Sequence, residues 1–196
     1  MDKLFSVIFD MDGIIFDSER ACFECWKEAA SVLGAAGIDE IYPRIIGTNA
    51  SQTLSLVTGL YDPVIGEGAG KKLQELSSEI FHRKYDDSVL PLKPGVTELL
   101  EYLKKEGIKT ALASSTRAIQ VKRELGNAGL LGYFDSVTGG DRVRISKPDP
   151  EIYLIACDSI GSLPSDTFAV EDSFNGIRSA HAAGMRPLMV GHDPPG

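Results

Sequence analysis

The sequence predicts an α/β protein whose doubly wound parallel sheet carries an inserted small α-helical domain. First, the apolar run Leu4–Phe9 is typical of a buried strand in a parallel sheet, and it ends in the charged Asp10 and Asp12. Second, strands alternate with helices after residue 95, which indicates a parallel sheet covered on both faces. Third, a purely helical stretch of about 70 residues separates these parts and is too long for an ordinary loop.

The helical stretch begins soon after the first strand. Apolar positions at helical spacing predict a helix over 19–33, with Asp17-Ser18 as its start. Further helices are predicted over 51–57 and 71–85, with breaks at glycines 34 and 37 and between glycines 59 and 70. A proline-rich hinge over 90–95 closes this block. We therefore expect a core domain built from residues 1–17 and 92–196, and a helical domain over 18–91.

The second half supplies the remaining elements of the core. The pattern predicts helices over 96–106, 117–128, 148–160 and 175–183, and strands over 109–113, 136–138, 167–170 and 186–190.

Composition narrows the class of protein. The formal net charge of −8 argues against binding to nucleic acid or to an anionic membrane. No apolar stretch reaches the length of a membrane span. The three cysteines, with no signal peptide before the first strand, favour a reducing cytoplasm without a disulfide framework. We expect a cytoplasmic monomer.

Two carboxylates follow the first strand. Asp10 and Asp12 are two residues apart, so on an extended segment both can face one site, and Gly13 then permits a sharp turn. Adjacent anions repel each other, which favours a bound cation between them. Open α/β sheets bind ligands at this carboxyl edge of the strands.

Three later strand ends add polar groups to the same edge. They contribute Ser114, then Lys147 in the loop after Gly139-Gly140-Asp141, and finally Glu171 with Asp172. Carboxylate oxygens are the ligands that Mg²⁺ prefers. A lysine, a hydroxyl and helix-start N–H groups suit a phosphate. An aspartate can act as nucleophile in phosphoryl transfer, with a second one as acid and base.

Four segments in this order resemble the motifs of the haloacid dehalogenase-like (HAD) superfamily, in its phosphatase and β-phosphoglucomutase subfamily. They are Asp10–Ser18, Ala113–Ser115, Ser146–Tyr153 and Val170–Gly176, and Leu92–Gly95 resembles the usual return from a small helical cap. The resemblance covers essentially the whole chain. It implies a Rossmann-like core and identifies the helical domain as a cap that closes to exclude water and reads the leaving group.

The resemblance also implies roles for individual residues. Asp10 would attack phosphorus to form an aspartyl-phosphate, and Asp12 would protonate the leaving oxygen. Ser114, Ser115 and Lys147 would bind the phosphoryl oxygens. The implied cofactor is Mg²⁺, held by Asp10, the Asp12 backbone carbonyl, Asp172, and Glu171 either directly or through water.

The leading hypothesis is a Mg²⁺-dependent phosphatase acting on a small phosphorylated metabolite, of the sugar phosphate or phosphoglycolate type. The alternative is a β-phosphoglucomutase-like phosphotransferase, whose cap histidine and arginine match Cys22 and Ala50 (after Gly47) here. A dehalogenase is the less favoured hypothesis, because that chemistry needs neither the second aspartate, Asp12, nor a metal. The intact set of site residues argues against a non-catalytic binding protein, because such a protein has no need to hold so many carboxylates together.

HAD relatives usually continue beyond a point equivalent to His192–Gly196, so we expect reduced coverage at that sheet edge.

Overall fold

The computed structural model describes residues 5–46 and 48–191. Leu4, Gly47 and the segment 192–196, on which some sequence interpretations fall, lie outside the described residues. The chain divides into two compact units. One contains the chain up to Asp17 and the chain from Val89 onward, and the other is Ser18–Ser88. The assignment of the second unit as a cap domain stays a prediction.

The first unit contains a five-stranded, all-parallel sheet, as predicted. Its strand order is β3-β2-β1-β4-β5. The strands are β1 (Ser6–Phe9), β2 (Thr110–Ala113), β3 (Ser136–Thr138), β4 (Thr167–Glu171) and β5 (Arg186–Met189).

Eight α-helices accompany the sheet within the described residues. They are α1 (Ser18–Leu33), α2 (Ile38–Ile41), α3 (Ala50–Ile65), α4 (Ala69–Tyr85), α5 (Val96–Lys105), α6 (Ala118–Asn127), α7 (Glu151–Ser159) and α8 (Phe174–Ala182). The last four alternate with the strands, which confirms the predicted doubly wound α/β class.

The strand order fixes where a site can form. From β1 the chain moves outward through β2 to β3, then crosses to the other side of β1 for β4 and β5. The order reverses between β1 and β4, and such switch points are where open α/β sheets bind ligands. Phe9 pairs with Leu112 and with Val170, so the residues that follow these three strands meet at one edge.

One face of the sheet is covered by α7 and α8. Ile8, Ala111 and Ala169 project from three neighbouring strands and are fully buried. The small alanines let the helices approach closely, and Ile152 and Tyr153 of α7 fill the space above them. At the β5 edge, Leu188 and Met189 are 49% and 47% exposed.

The second unit is all-helical, as predicted, but α3 differs from its expected length. The sequence predicted a helix over 51–57, with breaks from Gly59 onward. The structure continues α3 through Gly59 and Pro63 to Ile65. A capping box between Asn49 and Gln52 stabilises its start. Packing against α4 offsets the roughly 1 kcal/mol that a mid-helix glycine costs.

Close packing of α3 and α4 depends on Gly70. A Cβ added there would lie 2.4 Å from the backbone nitrogen of Thr58. The helices enclose an apolar core that includes Trp26, Val57 and Leu73. The Gly66–Lys72 segment connects α3 to α4. The Asp62 carboxylate near the end of α3 accepts hydrogen bonds from the Gly68 and Gly70 amides, which fixes the turn between the two packed helices.

The first unit also holds the two points where the chain leaves and returns. Phe16 forms an antiparallel bridge with Leu92, and the Asp17 amide donates to the Pro91 carbonyl at 2.7 Å. The Lys93 Nζ lies 3.8 Å from Asp17 Oδ1. Asp17 therefore ties the outgoing segment to the returning one.

Two further expectations concern the chain as a whole. In the described residues, no helix has both the length and the apolar character to cross a membrane. Cys22, Cys25 and Cys157, the three cysteines of the sequence, are free thiols.

Candidate active site

Asp10 lies at the carboxyl end of the central strand. Its amide donates to the Val170 carbonyl at 2.9 Å, which extends the β1–β4 pairing by one residue. The chain then turns tightly, because the Met11 carbonyl accepts hydrogen bonds from the Ile15 and Phe16 amides. Asp10 is only 9% exposed, so its carboxylate is nearly withdrawn from solvent.

Lys147 contacts Asp10 directly, although the two are far apart in the sequence. Its Nζ lies 2.5 Å from Asp10 Oδ1, 2.7 Å from Glu171 Oε1 and 3.1 Å from the Ala113 carbonyl. An ammonium group has three donors, and these three acceptors use all of them. The fixed cation predicted at the strand ends is therefore held rigidly between β1, β2 and β4.

Glu171 ends β4 and is completely buried. Its Oε1 accepts hydrogen bonds from Lys147 Nζ and the Tyr153 hydroxyl, both at 2.7 Å. Its Oε2 accepts from the Asp172 amide and from the amide and hydroxyl of Ser173. Both oxygens thus accept hydrogen bonds that hold neighbouring groups in place.

Asp172 lies next to Gly13. A Cβ added to Gly13 would meet Asp172 Oδ2 at 1.8 Å, and Gly13 has φ +74°. Three carboxylate oxygens lie within 4.8 Å of one another, one each from Asp10, Glu171 and Asp172. These hard oxygen donors fit the Mg²⁺ predicted from the sequence.

Asp12 is exposed and faces the loop after β2. The Thr116 hydroxyl donates to Asp12 Oδ2 at 3.4 Å. Ser114 is buried, and its Oγ accepts from the Thr116 amide at 3.0 Å. Ser114 therefore shapes the turn that brings Thr116 towards Asp12.

Ser115 is exposed, and its carbonyl packs on the loop after β3. A Cβ added to Gly140 would lie 2.1 Å from the Ser115 oxygen, and one on Gly139 would lie 2.2 Å from the Ala118 nitrogen. The Gly139-Gly140 pair therefore lets the loops after β2 and β3 approach closely.

Burial and charge shift the pKa values of the central groups. Burial raises the pKa of Asp10 to about 7, although the Lys147 ammonium opposes this shift. Burial lowers the pKa of Lys147, but the negative charges of Asp10 and Glu171 outweigh it and raise the pKa overall. Lys147 therefore stays charged at neutral pH.

Two contacts were not foreseen from the sequence. Tyr153 is fully buried, and its hydroxyl touches Glu171 rather than a backbone group. Burial raises the pKa of Tyr153 well above its usual value, so the hydroxyl remains a donor. Thr116 is the second, through its contact with Asp12. The sequence did offer one indication of the Tyr153 contact: a tyrosine on an otherwise apolar helix face needs a hydrogen-bond partner for its hydroxyl.

Comparison with known proteins identifies the family. The sequence model of the haloacid dehalogenase-like hydrolases matches residues 7–190. The chain belongs to this family. Its membership confirms the predicted HAD superfamily. Together with the phosphatases among the relatives described next, it supports the predicted enzyme class, a phosphoric monoester hydrolase.

Several named proteins are similar to this HAD chain. The phosphorylated carbohydrates phosphatase of Thermotoga maritima is 34% identical over 184 residues, which cover 93% of this chain and 83% of the relative. The beta-phosphoglucomutase of Bacillus subtilis is 31% identical, covering 97% and 84%. The fructose-1-phosphate phosphatase YqaB of Escherichia coli is 30% identical, covering 96% and 97%.

A solved structure agrees with the HAD fold. A Thermotoga maritima crystal structure, named as a candidate beta-phosphoglucomutase, has a TM-score of 0.80 with 32% sequence identity. The match covers 96% of this chain and 86% of that one.

Proposed function

We propose that this HAD protein is a Mg²⁺-dependent phosphatase that hydrolyses a small phosphorylated metabolite through an aspartyl-phosphate on Asp10. The observation that carries the proposal is the meeting of Asp10, Lys147 and Asp172 at the switch point of the sheet. A buried carboxylate beside a fixed cation and a second carboxylate is suited to an attack on an anionic phosphoryl group.

The residues at this edge fit a magnesium ion. The carboxylates of Asp10 and Asp172 and the backbone carbonyl of Asp12 would hold it, and Gly13 leaves the space that Asp172 occupies. Glu171 belongs to the same group of oxygens and would contribute directly or through water. When bound, Mg²⁺ supplies positive charge that stabilises the transferring phosphoryl oxygens.

The chain's own residues have distinct roles in the two chemical steps. In the first, an Asp10 oxygen attacks phosphorus, the bond to the leaving oxygen breaks, and Asp12 gives that oxygen a proton. In the second, Asp12 takes a proton from water, which attacks phosphorus, and Asp10 is released with inorganic phosphate. Lys147 stabilises the phosphoryl charge in both steps, and Ser114 and Ser115 complete the phosphate-binding loop.

The names of the relatives support one substrate class. The Thermotoga maritima and Escherichia coli relatives are named for phosphorylated carbohydrates and fructose 1-phosphate. These names support a sugar phosphate rather than phosphoglycolate as the first substrate to test.

The three free cysteines support a cytoplasmic location, and a monomeric state stays a prediction.

A panel of metabolite phosphates with Mg²⁺, read out as released phosphate, tests this function. We expect release from at least one sugar phosphate, loss on adding a chelator, recovery with Mg²⁺, and no activity in Asp10→Asn. Full activity of Asp10→Asn would contradict the proposal. So would activity that a chelator leaves unchanged.

A β-phosphoglucomutase-like phosphotransferase is the second candidate, favoured by the similarity to the Bacillus subtilis enzyme. The two cap positions that would carry its histidine and arginine are Cys22, half-buried in α1, and Ala50, the exposed first residue of α3. Neither side chain can donate as histidine or arginine does. Interconversion of β-glucose 1-phosphate and glucose 6-phosphate that outpaces phosphate release would favour the mutase.

A further inference from the structure

Tyr153 has an unusual position for a core aromatic residue. It lies on α7 with no solvent exposure, and its hydroxyl donates to Glu171 Oε1 at 2.7 Å. Its ring also faces the ammonium of Lys147, whose Nζ lies 5.0 Å from the ring centroid. The residue therefore contacts both partners of a buried ion pair with different parts of its side chain.

Tyr153 and Lys147 share one hydrogen-bond acceptor, Glu171 Oε1. Glu171 Oε1 accepts from Lys147 and from Tyr153, whereas Oε2 accepts, among the described residues, from those that follow it in its own loop. The tyrosine hydroxyl thus satisfies part of the negative charge on the oxygen that faces Lys147. The same ammonium lies 2.5 Å from Asp10 Oδ1, so Asp10 and Glu171 share one cation.

A purely packing role does not account for the hydroxyl. A phenylalanine would fill the same volume without burying a polar group, which carries a desolvation cost of about 1–3 kcal/mol if left unpaired. Glu171 already has four other donors, so the tyrosine is not required to satisfy a bare carboxylate. What it adds is a fixed position for Oε1 and an aromatic surface beneath the cation.

We propose that Tyr153 is a positioning residue that holds Lys147 towards Asp10 by competing with it for Glu171 Oε1. This inference rests on the proposed phosphatase function and deepens it. Without the hydroxyl, Lys147 moves closer to Glu171, and less of its charge reaches the phosphoryl oxygens in the transition state. Because a displacement of about 1 Å in such a site can cost up to about 10²-fold in rate, the effect falls on kcat rather than on KM.

Tyr153→Phe tests the proposal, since it removes one oxygen and keeps the ring. We expect kcat for the substrate found in the panel to fall about tenfold, with KM within about twofold and Tm nearly unchanged. The matched control is Tyr42→Phe in the helical unit. Tyr42 is also buried, and its hydroxyl donates to the Glu19 carbonyl at 3.0 Å, so its loss should leave kcat unaltered.

A second measurement reports the site without turnover. Crystal structures of the metal-free variants give the distance from Lys147 Nζ to Asp10 Oδ1, which should lengthen from 2.5 Å in Tyr153→Phe and stay unchanged in Tyr42→Phe. A longer distance in a protein that hydrolyses no phosphate ester would support the positioning role and contradict the proposed function. An unchanged distance in Tyr153→Phe would overturn the positioning role, and so would equal losses of kcat in both variants.

Discussion

Gly13 and Asp172 lie so close that Asp172 Oδ2 occupies the place where a Cβ on Gly13 would stand, 1.8 Å from it. The absence of a side chain after β1 thereby creates the room for a carboxylate after β4. Gly13 also adopts φ +74°, which is unfavourable for other residues. One glycine thus serves both the turn and the proposed metal site.

The substitution Gly13→Ala separates these two effects when it is compared with Gly129→Ala. Gly129 has a similar φ of +70°, but no atom lies within 4 Å of its added Cβ. Both variants should lose about 1–2 kcal/mol of unfolding free energy from the left-handed backbone. Only Gly13→Ala should also need more Mg²⁺ for half-maximal phosphate release. Equal Mg²⁺ requirements in the two variants would show that the contact with Asp172 does not matter for the metal.

Removing the leaving-group acid should give a result that depends on the substrate. With Asp12→Asn, release of a sugar alcohol should slow by about 10²–10⁴-fold, because that leaving group needs a proton. p-Nitrophenol leaves without one, so p-nitrophenyl phosphate should give a burst of one p-nitrophenol per enzyme, followed by slow turnover. A stopped-flow absorbance trace measures the burst. The same loss with both substrates, and no burst, would refute the assignment of Asp12 as acid and base.

Loss of the buried cation should cost stability as well as activity. Lys147→Ala leaves Asp10 and the fully buried Glu171 without their counter-charge, which should lower the unfolding free energy by about 3–5 kcal/mol. Lys109→Ala is the matched control, because the Lys109 Nζ donates to the Ile160 carbonyl at 2.6 Å and should cost only about 1 kcal/mol. Urea unfolding in metal-free buffer compares the two. Similar losses would contradict the importance of the ion pairs.

Magnesium binding should depend on pH through Asp10. Burial raises the pKa of Asp10 to about 7 in the metal-free protein, so below that pH the carboxyl carries a proton that Mg²⁺ must displace. The Mg²⁺ affinity should therefore rise with pH up to about 7 and level off above it. Titration calorimetry at several pH values measures this, and Asp10→Asn should bind weakly with a flatter pH profile. Affinity that is independent of pH in the unaltered protein would contradict the prediction.

Much of the fold could be predicted because local pattern and global architecture agree. The apolar strand before Asp10 and the alternation of strands and helices after residue 95 led directly to the parallel sheet. The end of α3 was predicted wrongly because Gly59 and Pro63 act as breaks only where tertiary packing does not oppose them. Capping at Asn49 and contact with α4 outweigh the local preference.

The site could be predicted only in part. Parallel strands bring their carboxyl ends together, so the meeting of Asp10, Lys147 and Glu171 followed from topology. The orientation of each side chain did not, because it depends on contacts between distant segments. The hydrogen bond from Tyr153 to Glu171 and the contact of Thr116 with Asp12 are of this kind.

Trapping the phosphorylated enzyme tests most directly whether Asp10 is the nucleophile. Asp12→Asn would be mixed with Mg²⁺ and phosphorus-labelled p-nitrophenyl phosphate, quenched in acid within the burst, and mapped by mass spectrometry. We expect a label on Asp10 that is absent from the double variant with Asp10→Asn. A burst of p-nitrophenol without label on Asp10, or with label on another residue, would show that Asp10 is not the nucleophile.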